Sequence, residues 1–162
     1  MQLEKISYDG KIVNFLKGNS ATPVIQCFVE GIPTGRGSKV INSIVSKKNN
    51  ELLYKWKIKI ADEVNAKVNA PVTLKAASVS LSLFFYPPFH GNRHFDAENF
   101  VKPIIDGLTK GLFSVNWKQK KNQAIKVRFN EDDSIFKWVY FEYHEIAKGL
   151  KEGVYITVWT PE

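Results

Sequence analysis

At 162 residues, with 44% hydrophobic and 13% aromatic side chains, the chain has the material for one domain with a real core, so disorder is not its default state. Its 23 lysines and arginines against 16 aspartates and glutamates give a formal charge of +7, which makes a polyanion the natural partner. No run of about 18 apolar residues would span a membrane, the first residues lack a signal peptide's apolar stretch, and the lone Cys27 forbids an intrachain disulfide, so a soluble, cytoplasmic protein with no membrane partner is expected.

Residues 1–22 read as an N-terminal extension, set apart by the loop composition Lys17-Gly18-Asn19-Ser20-Ala21-Thr22-Pro23, and 23–162 as the compact domain. Val24 to Glu30 is β-rich, with Cys27 placed as a buried thiol, and it runs into Gly31-Ile32-Pro33-Thr34-Gly35-Arg36-Gly37-Ser38-Lys39, a flexible basic loop. From about Asn50 to Val68, the residues Leu52, Leu53, Trp56, Ile60, Val64 and Val68 recur at helical spacing, with lysines 55, 57, 59 and 67 mostly off the stripe. Val72 to Tyr86 alternates as a long strand that Pro87-Pro88 ends.

The segment from Asp96 to Leu108 reads as a turn entering a helix whose buried stripe is Val101, Ile104, Ile105, Leu108 and Leu112. With Asn99 as its cap, Pro103 falls in the first turn, where amides lack helical partners anyway. Residues 113–129, with Trp117 among five basic side chains, show no clean period and read as a basic loop. Ser134 to Ile146 and Val154 to Trp159 are aromatic and β-branched, and the expected arrangement is two antiparallel strands joined by a glycine-bearing loop.

Three carboxylates, a carboxamide and a lysine concentrated in Asp96-Ala97-Glu98-Asn99-Phe100-Val101-Lys102-Pro103-Ile104-Ile105-Asp106 suit a divalent cation that takes hard oxygen ligands, with a positive charge at hand for a phosphate. Asp96 and Glu98 can converge only where loop becomes helix, since positions i and i+2 of a continuous helix diverge. A third ligand could come from Asn130-Glu131-Asp132-Asp133, which reads equally as an ordinary turn. His90, His94 and His144 lack the spacing of a structural zinc site, and no serine or cysteine sits in a nucleophile's context.

The run Asp96-x-Glu98-Asn99-x-x-Lys102-x-x-x-Asp106-x-Leu108 resembles the signature of the RusA-type Holliday junction resolvases, in which acidic-x-Asp-Asn-x-x-Lys precedes a helix containing Asp-Ala-Leu. Phe28-Val29-Glu30-Gly31-Ile32-Pro33 with Arg36 is similar to the family's opening strand and Gly-x-Pro loop, Tyr54-x-Trp56 to part of its lysine-rich helix, and Asp132-Asp133-Ser134-Ile135 to its later aspartate pair. The likeness spans roughly residues 24 to 160.

The resemblance implies an α/β (α+β) single domain, a small mixed β-sheet with two main helices packed on it, acting as a homodimer on four-way DNA junctions and making paired, symmetric nicks that leave 5′-phosphates. It implies Mg²⁺, with Mn²⁺ as a substitute, held by Asp96, Glu98 and Asp133, and Lys102 stabilising charge at the scissile phosphate; Asn99, Asp106 and Asp132 are accessory. Phosphate contacts would come from Arg36, Lys39, Lys118, Lys120 and Lys121, with Trp117 or Phe95 as stacking groups. Two features depart from the family pattern: Glu98 stands where it has aspartate, and residues 117–128 are inserted. Other readings of the same residues are a branched-DNA-binding protein that does not cut, and an RNA- or protein-binding module with a structural acidic motif.

Overall fold

The computed structural model describes residues 2–8, 11–17, 23–35, 44–68, 74–86, 97–114, 117–118, 122, 126–129 and 132–160. In chain order its elements are β1 (Gln2–Tyr8), β2 (Lys11–Lys17), β3 (Ile25–Glu30), α1 (Ile44–Lys67), β4 (Ala77–Phe85), α2 (Ala97–Phe113), β5 (Phe136–Glu145) and β6 (Gly153–Trp159). They form a single small α+β domain: a four-stranded mixed sheet ordered β3-β6-β4-β5, two helices, and a separate β1-β2 hairpin. No described helix is long and apolar enough to cross a membrane.

The core lies between the sheet and the helices. Alternation along β4 sends Val79, Leu81, Leu83 and Phe85 to the helical side, where they meet Ile25, Cys27 and Val29 of β3, Val154, Ile156 and Val158 of β6, and the helix stripes. On α1 the stripe is Trp56, Ile60 and Val64, four residues apart, with Val68 partly buried beyond them. Leu52, expected on that stripe, is 48% exposed; steps of four residues drift by about 40° each around a helix of 3.6 residues per turn and carry it off the face that Trp56, Ile60 and Val64 bury. Burial first, and the charge of Glu63 second, push the Cys27 thiol up to about 12, so it is an inert core group.

The α1–α2 seam is set by two glycines. A Cβ at Gly107 would come within 2.8 Å of the Lys57 carbonyl oxygen, and one at Gly111 within 2.7 Å of that of Ala61. The helices therefore touch at backbone distance along one turn of α2.

Three expectations need correcting. The motif helix begins at Ala97 rather than at an Asn99 cap, so Pro103 lies inside it, buried, and offers no amide to the Asn99 carbonyl. The strand expected from Val72 is shorter, starting at Ala77. The last two strands do not form a hairpin: β4 lies between them, parallel to β5 and antiparallel to β6. Local alternation and a short loop predict a hairpin; burial decides otherwise, since β4 is buried at all nine positions and takes the centre of the sheet.

The first residues fold as the β1-β2 hairpin, and β2 lies against β4 and β5 on the side of the sheet away from the helices. That side carries Ser78, Ser80 and Ser82, all buried. The contact is fastened at Glu142 of β5. Its Oε1 accepts from the Asn14 amide at 2.9 Å and the Ser82 hydroxyl at 3.0 Å, and its Oε2 from the Asn14 side-chain amide at 3.2 Å and the Tyr140 hydroxyl at 3.3 Å. His144 Nε2 stands 3.0 Å from Oε1.

Burial alone would raise the Glu142 pKa, but donors from His144, Asn14 and Ser82 outweigh it and hold the carboxyl below its ordinary 4.5. A depressed folded-state value stabilises above the unfolded carboxyl's pKa and is lost as pH falls through the folded one. Acidification should therefore loosen the hairpin only below the usual glutamate range. The Asn14 amide, followed by NMR, should shift in that window, and in Glu142→Gln the transition should vanish.

Candidate functional site

Four charged side chains, from α1, α2 and the segment that leads into β5, meet along the middle of α2. Lys102, on its second turn, directs its ammonium to Asp133 Oδ2, in a close ion pair, and to Asp106 Oδ1 at 2.8 Å. Asp106 Oδ2 in turn lies 3.0 Å from Lys57 Nζ on α1. Lys102 and Asp106 are four residues apart and share a helix face by geometry. Asp133 is brought to them by the return of the chain from α2 into β5, with the Phe136 amide donating to the Asp133 carbonyl and the Ser134 amide donating to the Asp132 carboxylate at 2.9 Å.

Burial decreases along this row of charges. The Lys57 and Asp106 side chains are 18% and 11% exposed, whereas Lys102 and Asp133 are 38% and 39% exposed. The inner pair is thus shielded between the helices and the outer pair meets solvent. Burial disfavours the Lys102 ammonium, but hydrogen bonds to Asp106 and Asp133 outweigh it and hold the amine above its ordinary value, so Lys102 is a fixed positive charge at neutral pH.

Lys102 and Asp133 line a cleft of about 570 Å³ together with the exposed Glu98, and Val101, Ile105 and Val139 form its apolar wall. Glu98 and Asp133 supply only carboxylate oxygens, the donor chemistry that suits Mg²⁺ or Mn²⁺. Among the described residues no group of three His, Cys, Asp or Glu is gathered around one point. Asp96 lies outside the described residues.

Of the accessory positions, Asn99 is half-buried on α2, Asp106 braces Lys102, and Asp132 faces solvent with its carboxyl held below the usual range by the Ser134 amide. Lys118 is exposed, whereas Arg36, Lys39, Lys120, Lys121 and Phe95 lie outside the described residues. Trp117 is not available for stacking on a base: it is 2% exposed, and its indole N–H donates to Asp62 of α1 at 2.6 Å. Nor is the described part of the basic segment a free loop. The Val127 amide donates to the Tyr54 hydroxyl at 3.0 Å, Lys126 lies over the Tyr54 ring, and Phe129 meets Tyr54 edge-on.

The sequence reading missed Lys57. It sits beside Trp56 and differs in no local way from lysines 55 and 59, and only the pairing of α1 with α2 gives it a role. Compared with protein-family models, with curated proteins and with solved structures, the chain finds no match in any of the three.

Proposed function

We propose that this protein is a divalent-cation-dependent, structure-selective endodeoxyribonuclease of the RusA type, which nicks four-way DNA junctions as a homodimer. The observation that carries the reading is that Glu98, Lys102 and Asp133, 35 positions apart in the sequence at their extremes, line one solvent-open cleft. Glu98 and Asp133, with Asp96, would hold the cation, which when bound supplies Lewis acidity and a lowered pKa for the attacking water. Lys102, charged at neutral pH, meets the non-bridging phosphate oxygen and stabilises the charge that grows there. The apolar wall of Val101, Ile105 and Val139 limits water on one side, which strengthens each of these interactions. The net positive charge supplies the largely sequence-independent attraction to the DNA backbone.

A synthetic four-way junction incubated with and without Mg²⁺ tests this. Paired nicks that require Mg²⁺ are expected; a shifted band without product at any Mg²⁺ concentration would replace the reading with that of a junction-binding protein.

The outer edge of β5 is the surface this reading uses for the second subunit. Among the described residues β5 pairs only with β4, and it exposes Trp138, Val139 and Tyr143, each 43–51% accessible. Antiparallel pairing of β5 with its own copy, centred on Phe141, sets Lys137 opposite Glu145 twice and Val139 opposite Tyr143, whereas a centre at Glu142 would oppose two carboxylates. In that register the two Val139 residues, each at the wall of a cleft, lie about 13 Å apart along the strands. Lys137→Glu and Glu145→Lys should each weaken self-association and the double variant should restore it, as read by sedimentation velocity; a double variant no better than either single one would remove this register.

A further inference from the structure

The charges at the cleft alternate: Lys57, Asp106, Lys102, Asp133, from the shielded helix seam outward to solvent. The outermost carboxylate is already matched, since the Lys102 ammonium rests against Asp133 Oδ2. A second cation seeking that carboxylate meets a charge of its own sign at contact distance, and the two cannot share it without cost. Lys102 has somewhere else to go, because Asp106 holds it from the other side and Lys57 fixes Asp106.

We propose that the Lys102 ammonium is the resident counter-ion of Asp133, which a divalent cation must displace, and that Asp106 and Lys57 are positioning residues that receive and hold the lysine when it is displaced. This deepens the reading given above and rests on its assignment of Asp133 as a cation ligand. It adds an order of assembly. A DNA phosphate in the cleft draws Lys102 off Asp133 and so frees the carboxylate, which makes phosphate and cation mutually favourable ligands. Alone, each finds the site partly closed. The arrangement keeps the cation weakly held until a substrate backbone is present.

The prediction is a pair of opposite effects on Mn²⁺ binding to the full chain, measured by isothermal titration calorimetry without DNA. Lys102→Gln removes the competitor and should tighten Mn²⁺ by about tenfold, the scale on which neighbours of metal ligands tune affinity. Asp106→Asn removes the carboxylate that holds Lys102 from the side away from Asp133 and should weaken Mn²⁺ binding. The double variant should behave as Lys102→Gln does, since Asp106 acts only through the lysine.

General destabilisation cannot raise affinity in one variant and lower it in its neighbour, so the signs separate a positioning role from a structural one. Lys102→Gln that binds Mn²⁺ no tighter than the unaltered protein overturns the inference while leaving the cation reading intact. Failure of both proteins to bind Mn²⁺ overturns the cation reading itself, and this inference with it.

Discussion

Asp133→Asn should leave the protein folded and able to bind a four-way junction while slowing its Mg²⁺-dependent cleavage at least about a hundredfold, the scale of losing one electrostatic contact at a reacting centre. The substitution keeps the shape, removes the charge and turns one of the two acceptor oxygens into a donor. Asp133 is 39% exposed and lies at the approach to β5, outside the apolar core, so little stability rides on it. Its partner Lys102 keeps Asp106 and is not stranded. Band-shift and single-turnover cleavage on the same junction separate binding from chemistry; cleavage undiminished in this variant would remove Asp133 from the mechanism.

Gly107→Val should cost about 3 kcal/mol, the upper end of what overpacking a close contact does. The added carbons would strike the Lys57 carbonyl and the Ile60 side chain, and a backbone oxygen has no rotamer to retreat into. Replacing a helical glycine usually gains on the order of 1 kcal/mol or less from propensity, which is too little to compensate. In a chain of this size such a loss lowers the melting temperature by roughly 6–12 °C. The effect should reach the cleft as well, since the residue whose carbonyl is pushed is the one whose ammonium braces Asp106. The control is Thr109→Ser, which lies on the same helix and keeps the hydroxyl that donates to the Ile105 carbonyl. A thermal melt that drops in Gly107→Val and much less in Thr109→Ser, which loses one buried methyl group, localises the damage to the helix seam, whereas an unchanged melt in Gly107→Val would show that the seam can open without loss.

The elements with strong local period were legible in the sequence: β3, the middle of α1, β4, α2, β5 and β6 all form where alternation or helical spacing indicated. What local pattern could not supply was order. Nothing in Ser134 to Trp159 says that a strand from much earlier in the chain will come between its two halves; that follows from where a strand buried on both faces can go. The boundary error in α2 has a similar origin, since Pro103 discourages a helix locally and packing of Ile104, Leu108 and Leu112 against the sheet overrides it.

In the candidate site, Lys102 and Asp106 stand four residues apart on one helix, a spacing visible in the sequence, and the acidic cluster at 130–133 was visible as a possible third ligand, with Asp133 singled out by the family resemblance. Lys57 was not legible, because its partner Asp106 is 49 positions away. Glu142 could have been found. It stands two residues from both Tyr140 and His144 in a strand, so all three share a face, and a carboxylate amid aromatic residues invites a search for donors.

The position of β6 between β3 and β4 has a consequence for how the molecule comes together. The last strand in chain order joins the first strand of the sheet to its centre, so β3 has no partner in this sheet and β4 has only β5 until that segment emerges from the ribosome. Folding during synthesis must wait for it, and any truncation that removes residues 153–159 should leave β3 unpaired and one edge of β4 bare, open to proteolysis, rather than a smaller stable unit.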